Sequence, residues 1–180
     1  MKKIITIQHT QSAQHINGMI GSWRNWDLTE FGNEQAKRIG KHLSEEIKNE
    51  RYIMYSSDLL RSKHTAEIIA GFLGVKPILT DVLREFNLGE AVGKSKEWAR
   101  KNALCPVWPK TIDCAKTIDD KPFKGAESKR DVWNRLLVFY NNIMASTDEN
   151  IIIISHDGTL SIFFAIWLGL EVEMINECYL

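Results

Sequence analysis

The stretch NIIIIS, residues 150–155, decides the fold class of this chain because four consecutive isoleucines stand between two polar residues. The stretch KIITI, residues 3–7, repeats this pattern near the start of the chain. Short β-branched runs with almost no polar alternation are typical of parallel strands that are covered on both faces. The sequence therefore predicts two buried strands, one early and one late in the chain.

The segments between these strands alternate between helical and strand-like patterns. Residues 29–47 carry apolar side chains at helical spacing behind Thr29, which is a good N-cap residue. The predicted buried face of this helix consists of Phe31, Ala36, Ile39, Leu43 and Ile47. The other predicted elements are a strand at 51–57, a helix at 58–74 that ends at Gly71 or Gly74, and a helix at 127–144. This alternation predicts an α/β fold with a mostly parallel sheet and helices on both faces.

Residues 94–124 lack a clear period and contain three prolines. Such a segment favours an irregular, lid-like excursion over the sheet rather than a part of the core. Trp98 and Trp108 in this segment either contact a bound ligand or pin the loop to the core. A length of 180 residues is typical of one domain, so residues 1–180 are predicted to form a single domain with this excursion.

The composition argues against several classes of partner and site. Lys plus Arg and Asp plus Glu are equal at 23 each, so no global field favours nucleic acid or an anionic membrane. The apolar stretch at 162–170 is far below the ~20 residues of a membrane-spanning helix and predicts a buried helix. Cys105, Cys114 and Cys178 form neither a secreted disulfide framework nor a zinc pattern, which favours the reducing cytoplasm. Since clustered metal ligands and nucleotide-binding glycine motifs are also missing from the sequence, we expect no metal and no cofactor.

Each of the two predicted buried strands ends in a polar residue that is followed by a histidine, His9 or His156. In an open parallel sheet, ligands bind beyond the carboxyl ends of the strands, where loops and helix N-termini meet. Arg61 lies one turn into the helix after the predicted strand at 51–57, close behind Ser56 and Ser57. Two imidazoles, a guanidinium and helix N-termini are suited to bind phosphate. A neutral histidine can also attack phosphorus while cationic donors stabilise the oxygens.

Six short segments follow one another along residues 3–170. They are IQHTQS at 7–12, DLTEFGNEQAKRIGKHL at 27–43, YSSDLLRSKHTAEII at 55–69, VLREFNLGEAVGK at 82–94, GAES at 125–128 and IIIISHDGTL at 151–160. Each one alone arises easily by chance, but the ordered set resembles the histidine phosphatase superfamily, the phosphoglycerate mutase-like enzymes. The resemblance implies a three-layer sandwich with helices on both faces of the sheet.

The resemblance also implies a role for four residues. His9 would be the nucleophile that becomes phosphohistidine, and Arg61 would bind the phosphoryl group. His156 would be the second histidine of the phosphate pocket. Glu85 would protonate the leaving group and later activate water, with Glu90 as the alternative carboxylate. The implied reaction is metal-independent hydrolysis of a small phosphorylated metabolite.

Several residues depart from the family pattern, whose opening signature is Arg-His-Gly. Gln8 and Thr10 flank His9 instead, and Ala91-Val92 stands where many relatives have Trp-Glu. Gln8 can donate only a neutral hydrogen bond, which contributes about 1 kcal/mol, whereas a charge-assisted bond contributes roughly 1.5 to 3 kcal/mol. We therefore expect weaker phosphate binding than in relatives with arginine at this position. His15 replaces a common asparagine, and its imidazolium would restore part of the missing charge. Gln8 and His15 are therefore candidate phosphate-binding residues.

Two other functions stay open at this point. A phosphoglycerate mutase-type phosphotransferase could use the same site, but no basic, substrate-closing insertion is obvious in the sequence. A pseudoenzyme that binds a phosphorylated ligand with little turnover is suggested by Gln8, Thr10 and Ala91-Val92. The substrate and the oligomeric state are not predicted, and a homodimer is one option. The chain ends at residues 176–180, where relatives usually continue into another strand, so the domain is either short or truncated.

Overall fold

A computed structural model describes residues 2–48, 50–105 and 118–176. In this part of the chain, four strands form one parallel sheet in the order β1-β4-β2-β3. The strands are β1 (Lys3–Gln8), β2 (Ile53–Ser57), β3 (Ile78–Thr80) and β4 (Asn150–Ser155). The predicted positions of β1, β2 and β4 are confirmed, but β1 lies at the edge of the sheet and its residues are partly buried or exposed rather than buried. The edge strand β3 was not predicted, because three residues are too few to establish an alternating pattern.

Helices cover both faces of the sheet, as predicted. They are α1 (Glu30–Glu46), α2 (Leu60–Leu73), α3 (Lys96–Asn102), α4 (Lys129–Ala145) and α5 (Asp157–Trp167). Successive side chains of a strand point to opposite faces, so Ile152 and Ile154 pack with α2 while Ile151 and Ile153 pack with α4 and α5. The fold is therefore the expected three-layer sandwich. No helix in the described segments is long and apolar enough to span a membrane.

The buried face of α1 differs from the prediction at Phe31, whose surface is 57% exposed. The other predicted residues lie in the core or against it, namely Ala36, Ile39, Leu43 and Ile47. The helix also buries two small residues that were not predicted, Gly32 and Gly40. Small side chains let α1 approach its neighbours closely, and a β-carbon on Gly40 would lie 2.6 Å from the ring of Phe72 in α2. The periodicity therefore predicted the helix and most of its buried face correctly, but it placed Phe31 in the core and did not identify the buried glycines.

Gly32 controls the distance between α1 and the loop that follows β1. A β-carbon at this position would lie 2.0 Å from the carbonyl oxygen of Gln11. We expect Gly32→Ala to lower the free energy of unfolding by about 1 to 3 kcal/mol, because a backbone carbonyl cannot move aside as a flexible side chain does. The measurement is the midpoint of urea unfolding.

Gly71→Ala is the matched control because Gly71 is an exposed residue of α2 where an added β-carbon would meet nothing within 4 Å. Alanine is favoured over glycine in a helix by up to about 1 kcal/mol, so this variant should be as stable as the parent or more stable. Equal destabilisation of the two variants would contradict the proposed close contact at Gly32.

The segment predicted as irregular contains helix α3 at residues 96–102. Seven residues hold fewer than two helical turns, so the period was not visible in the sequence. Ser95 caps this helix by accepting a hydrogen bond from the Trp98 N–H at 3.0 Å. The Trp98 ring stacks on Phe123 at 5.9 Å between centroids, which matches the option that Trp98 pins the loop. Trp108 and the rest of 106–117 lie outside the described residues.

Candidate active site

The carboxyl ends of β1, β2 and β4 bring the predicted histidines to one edge of the sheet. The backbone N–H of His9 donates to the carbonyl of Ser155 at 2.9 Å, which extends the ladder between β1 and β4 by one residue. The rings of His9 and His156 lie 5.0 Å apart between centroids. Arg61, the second residue of α2, reaches the same place. Three residues that are far apart in sequence thus form one buried cluster.

The hydrogen bonds of His9 determine which ring nitrogen carries its proton. Nδ1 lies 2.8 Å from the carbonyl oxygen of Thr10, which can only accept, so Nδ1 carries the proton. Nε2 accepts a bond from Nε of Arg61 at 3.1 Å. Burial, together with the charge of Arg61, lowers the pKa of His9 to about 3. His9 is therefore neutral near pH 7, and its Nε2 lone pair is directed at a cation.

Arg61 is completely buried, although it carries a charge. Its two terminal nitrogens donate to the carbonyl oxygens of Arg24 at 3.1 Å and Ser22 at 2.8 Å. Burial lowers the pKa of Arg61 to about 10, so the guanidinium stays charged at neutral pH. Within the described residues it makes no ion pair. The charge of Glu85 acts on Arg61 but forms no close ion pair with it. A buried cation without a paired anion is costly, so the site is electrostatically suited to an anion.

The loop that binds Arg61 includes a strained residue, Ser22, with a φ of 43°. This left-handed conformation costs a non-glycine residue about 1 to 2 kcal/mol. The Ser22 hydroxyl donates to the carbonyl of Phe86 at 2.7 Å and accepts from the N–H of Leu88 at 2.9 Å. These bonds hold the carbonyl oxygen of Ser22 in place for Arg61. The sequence did not point to this position, because serine carries no glycine-like signal.

Glu85 is the carboxylate that the structure joins to the cluster. It is partly buried, and its Oε1 accepts a bond from the N–H of Phe86 at 2.9 Å and lies 3.4 Å from the hydroxyl of Thr159. Burial raises the pKa of Glu85, which favours its protonated form. Glu90 is exposed in the short helical turn Gly89–Ala91, so it is the less suitable of the two acids.

The backbone of Glu85 is held by two side chains whose role the sequence did not reveal. The indole N–H of Trp23 donates to the carbonyl of Glu85 at 2.7 Å. The guanidinium of Arg135 on α4 donates to the same oxygen at 3.3 Å and to that of Arg84 at 2.8 Å. Glu127, from the GAES segment, pairs with Arg135 at 3.0 Å. These contacts fix the loop that carries the acid.

His156 occupies the N-cap position of α5 and is completely buried. Its Nε2 lies 2.9 Å from the hydroxyl oxygen of Ser57, while Nδ1 has no hydrogen-bond partner in the described segments. Burial, with the charge of Arg61, lowers the pKa of His156 well below its ordinary value. The N-cap of α2 is Leu59, whereas Ser57 faces His156.

His15 lies beside the nucleophile, whereas the side chain of Gln8 does not join the cluster. The ring of His15 stacks on that of His9 at 5.4 Å and an angle of 11°. Its Nδ1 accepts from the N–H of Ser12 at 3.0 Å, so a neutral ring carries its proton on Nε2. Gln8 ends β1 with an exposed side chain that forms no hydrogen bond to another described residue. Phosphate binding by either residue remains a prediction.

Thr10 shows that the loop after β1 accepts a side chain where the family has glycine. Its φ is not in the left-handed region, because Ser22 is the one such non-glycine residue among those described. The N–H and the hydroxyl of Thr10 both lie 3.2 Å from the hydroxyl of Thr65. The threonine is therefore integrated into the loop rather than strained by it.

Metal ligands do not gather in the described part of the chain. No group of three or more histidine, cysteine, aspartate or glutamate side chains there could hold an ion. The polar groups that the site offers are the imidazoles of His9 and His156, the guanidinium of Arg61 and the carboxyl of Glu85.

Comparison with known proteins gives consistent matches over nearly the whole chain. A relative from Hydrogenobacter thermophilus, named "Putative phosphoserine phosphatase 2", is 28% identical over 173 residues, which are 96% of this chain and 82% of the relative. A 2,3-bisphosphoglycerate-dependent phosphoglycerate mutase from Afipia carboxidovorans is also 28% identical, over 96% of this chain and 84% of its own. The structure of a mycobacterial glucosyl-3-phosphoglycerate phosphatase superposes with a TM-score of 0.81 at 22% identity, covering 97% and 82% of the two chains.

The family assignment rests on a match to a whole family rather than to one relative. The family model described as the histidine phosphatase superfamily, branch 1, matches residues 4–180. This span includes all four strands except the first residue of β1, together with His9, Arg61, Glu85 and His156. The chain belongs to the histidine phosphatase superfamily.

Proposed function

We propose that this protein is a metal-independent phosphatase that hydrolyses a small phosphomonoester through a phosphohistidine intermediate on His9. The observation that carries the proposal is the pair formed by His9 and Arg61. A neutral imidazole lone pair lies 3.1 Å from a buried guanidinium that forms no ion pair with a described residue. The cation attracts the phosphoryl group to the nucleophile and stabilises the charge on its oxygens during transfer.

The first step transfers the phosphoryl group to the protein. The Nε2 lone pair of His9 forms a bond to phosphorus as the ester P–O bond breaks. Glu85 gives its proton to the departing alkoxide, which leaves as the alcohol. The burial that raises the pKa of Glu85 keeps this proton available at a higher pH than in an exposed glutamate.

The second step releases phosphate. The Glu85 carboxylate takes a proton from water, and the water oxygen bonds to phosphorus as the N–P bond to His9 breaks. The products are inorganic phosphate, a neutral His9 and a protonated Glu85, so the site returns to its starting state. His156 and Arg61 bind the phosphoryl oxygens in both steps.

A phosphoglycerate mutase-type phosphotransferase is the second candidate, because relatives of similar identity carry the names of phosphatases and of mutases. The two functions differ only in the group that accepts the phosphoryl from His9. Water gives free phosphate, whereas a phosphoglycerate gives a bisphosphorylated product. The two functions are distinguished by adding 3-phosphoglycerate to isolated phosphoenzyme that carries a labelled phosphoryl group. A phosphatase releases the label as phosphate, whereas a mutase releases it as a phosphate ester.

The test of the proposal is hydrolysis of p-nitrophenyl phosphate by the purified protein, with a chelator present, from pH 5 to 8. We expect release of p-nitrophenol and, after rapid quenching, an acid-labile phosphoryl group on the peptide that contains His9. Loss of activity on chelation that a divalent ion restores would contradict metal independence. Absence of both turnover and the phosphoryl peptide would favour a phosphate-binding pseudoenzyme, and Gln8→Arg would then test whether the missing charge is responsible.

His15→Asn should raise the KM for p-nitrophenyl phosphate, and more so at low pH. A protonated His15 would add a charge-assisted bond to the phosphate in place of a neutral one, a gain of about 1 kcal/mol or fivefold in KM. Burial and the charges of Arg61 and Lys96 lower the pKa of free His15 below 6.5, so this charge is present at acid pH and lost as the pH rises. The ratio of the variant KM to the parent KM should therefore be largest near pH 5 and approach one by pH 8.

The control for this prediction is His42→Asn, which makes the same change on an exposed position of α1. Its KM should follow that of the parent at every pH. An unchanged KM for His15→Asn across the range would show that His15 does not contact the phosphate.

A further inference from the structure

The contact between Ser57 and His156 indicates which nitrogen of the His156 ring carries the proton. Ser57 ends β2 and is fully buried, and its hydroxyl oxygen lies 2.9 Å from Nε2 of His156. The N–H of Leu59 donates to the same oxygen at 3.3 Å. A serine hydroxyl offers one donor and two acceptor sites. Leu59 occupies one acceptor site, so the hydroxyl proton still needs an acceptor of its own.

The two neutral tautomers of His156 differ in how many buried groups they leave unsatisfied. With the proton on Nδ1, Ser57 donates to Nε2, and only the Nδ1–H lacks a partner among the described residues. With the proton on Nε2, the ring donates to Ser57, and both the serine proton and the Nδ1 lone pair are left unpaired. Because each unpaired buried polar group is destabilising, the Nδ1–H tautomer is favoured.

The start of α5 is compatible with the same tautomer. His156 is the N-cap residue of this helix, yet its side chain accepts no hydrogen bond from the first N–H groups. An Nδ1 lone pair would be a suitable acceptor for these donors, whereas an Nδ1–H would not. The positive end of the helix dipole and the burial of the ring both disfavour the imidazolium. His156 is thus a neutral ring whose proton position matters.

We infer that Ser57 is a positioning residue that holds His156 as the neutral Nδ1–H tautomer, so that Nδ1 donates a hydrogen bond to the phosphoryl group. The identity of the acceptor rests on the proposed function, whereas the tautomer does not. The His156 ring is 5.0 Å from that of His9, so the donor stands beside the group in transfer. The opposite tautomer would present a lone pair to the phosphoryl oxygens and repel them.

The direct test is nuclear magnetic resonance of protein with ¹⁵N-labelled histidines at pH 7. The signals of His156 are assigned by their loss in His156→Gln. The parent should show a protonated Nδ1 and an unprotonated Nε2. Ser57→Ala removes the donor to Nε2 and should shift the ring toward the Nε2–H tautomer. A protonated Nε2 in the parent, or an unchanged ring in Ser57→Ala, would overturn the inference.

Two further variants separate this effect from a general disturbance of the site. Ser57→Thr keeps a hydroxyl and should keep the Nδ1–H tautomer. Ser56→Ala removes the neighbouring serine, which is equally buried. Its hydroxyl bonds to the Ser57 carbonyl at 2.9 Å and to Ser62 at 3.1 Å but not to His156, so this variant should leave the His156 signals unchanged. If Ser57→Ala does not fold, the spectra of the parent and of Ser57→Thr still decide the tautomer.

Kinetics supply the functional part of the test. With p-nitrophenyl phosphate, Ser57→Ala should lower kcat by up to about a hundredfold, the effect of weakening one preorganised donor to a transition-state oxygen. Ser57→Thr should retain most of the activity, and Ser56→Ala should match the parent. A parent without turnover would contradict the proposed phosphatase, but the tautomer measurement would still stand, so the two failures are distinguishable.

Discussion

His9→Ala is expected to lower kcat for p-nitrophenyl phosphate by at least about 10⁴-fold, because no other group in the described site can form the bond to phosphorus. His15 is one alternative imidazole, but its Nδ1 accepts from the N–H of Ser12 and its Nε2 carries the proton of the neutral ring. His156 is bonded to Ser57 at Nε2. The rate is followed by p-nitrophenol release, with the phosphoryl peptide of His9 as a second readout.

The control for this loss is His42→Ala, since His42 is exposed on α1, away from the site. It should keep the parent rate. Inorganic phosphate should still bind to His9→Ala, because Arg61 keeps its charge and its bonds to the carbonyls of Ser22 and Arg24. A variant that binds phosphate without turnover would separate binding from nucleophilic attack. Hydrolysis by His9→Ala at the parent rate would rule out the proposed intermediate.

Glu85→Gln is expected to lower kcat/KM for an alkyl phosphate by about 10² to 10⁴-fold, the usual contribution of a general acid. The amide keeps the size of the side chain and its acceptor bond from the N–H of Phe86 but has no proton to give. An alkoxide is a poor leaving group without protonation, whereas p-nitrophenolate leaves readily. The loss of kcat/KM should therefore be much smaller with p-nitrophenyl phosphate than with the alkyl ester.

The same assignment predicts the direction in which kcat/KM changes with pH. The acid form of Glu85 acts in the first step, so kcat/KM of the parent for the alkyl ester falls as the pH rises through the elevated pKa of Glu85. Glu85→Gln should lose this limb of the profile. Glu90→Gln is the matched control, because Glu90 is an exposed carboxylate five positions along the chain. Equal losses in the two variants would contradict the assignment of the acid to Glu85.

Much of the fold was predictable because its signals are local. The isoleucine run of β4 and its partner in β1 require cover on both faces, and the helices were found from the period of their apolar residues. Errors occurred where a local signal was short or misleading. The three residues of β3 and the seven of α3 are too short to show a period, and Phe31 is apolar but exposed.

The sequence by itself determined the α/β class, the position of His9 and His156 after buried strands, and the family resemblance that singled out Arg61 and Glu85. These follow from residue type and order along the chain. Only the tertiary structure decided that Glu85 rather than Glu90 joins the cluster, that Ser57 faces His156, and which nitrogen of His9 carries its proton. Such contacts join residues up to 99 positions apart, and their hydrogen bonds depend on distances of a few tenths of an ångström. Local sequence patterns do not determine the distances between residues that are far apart in the chain.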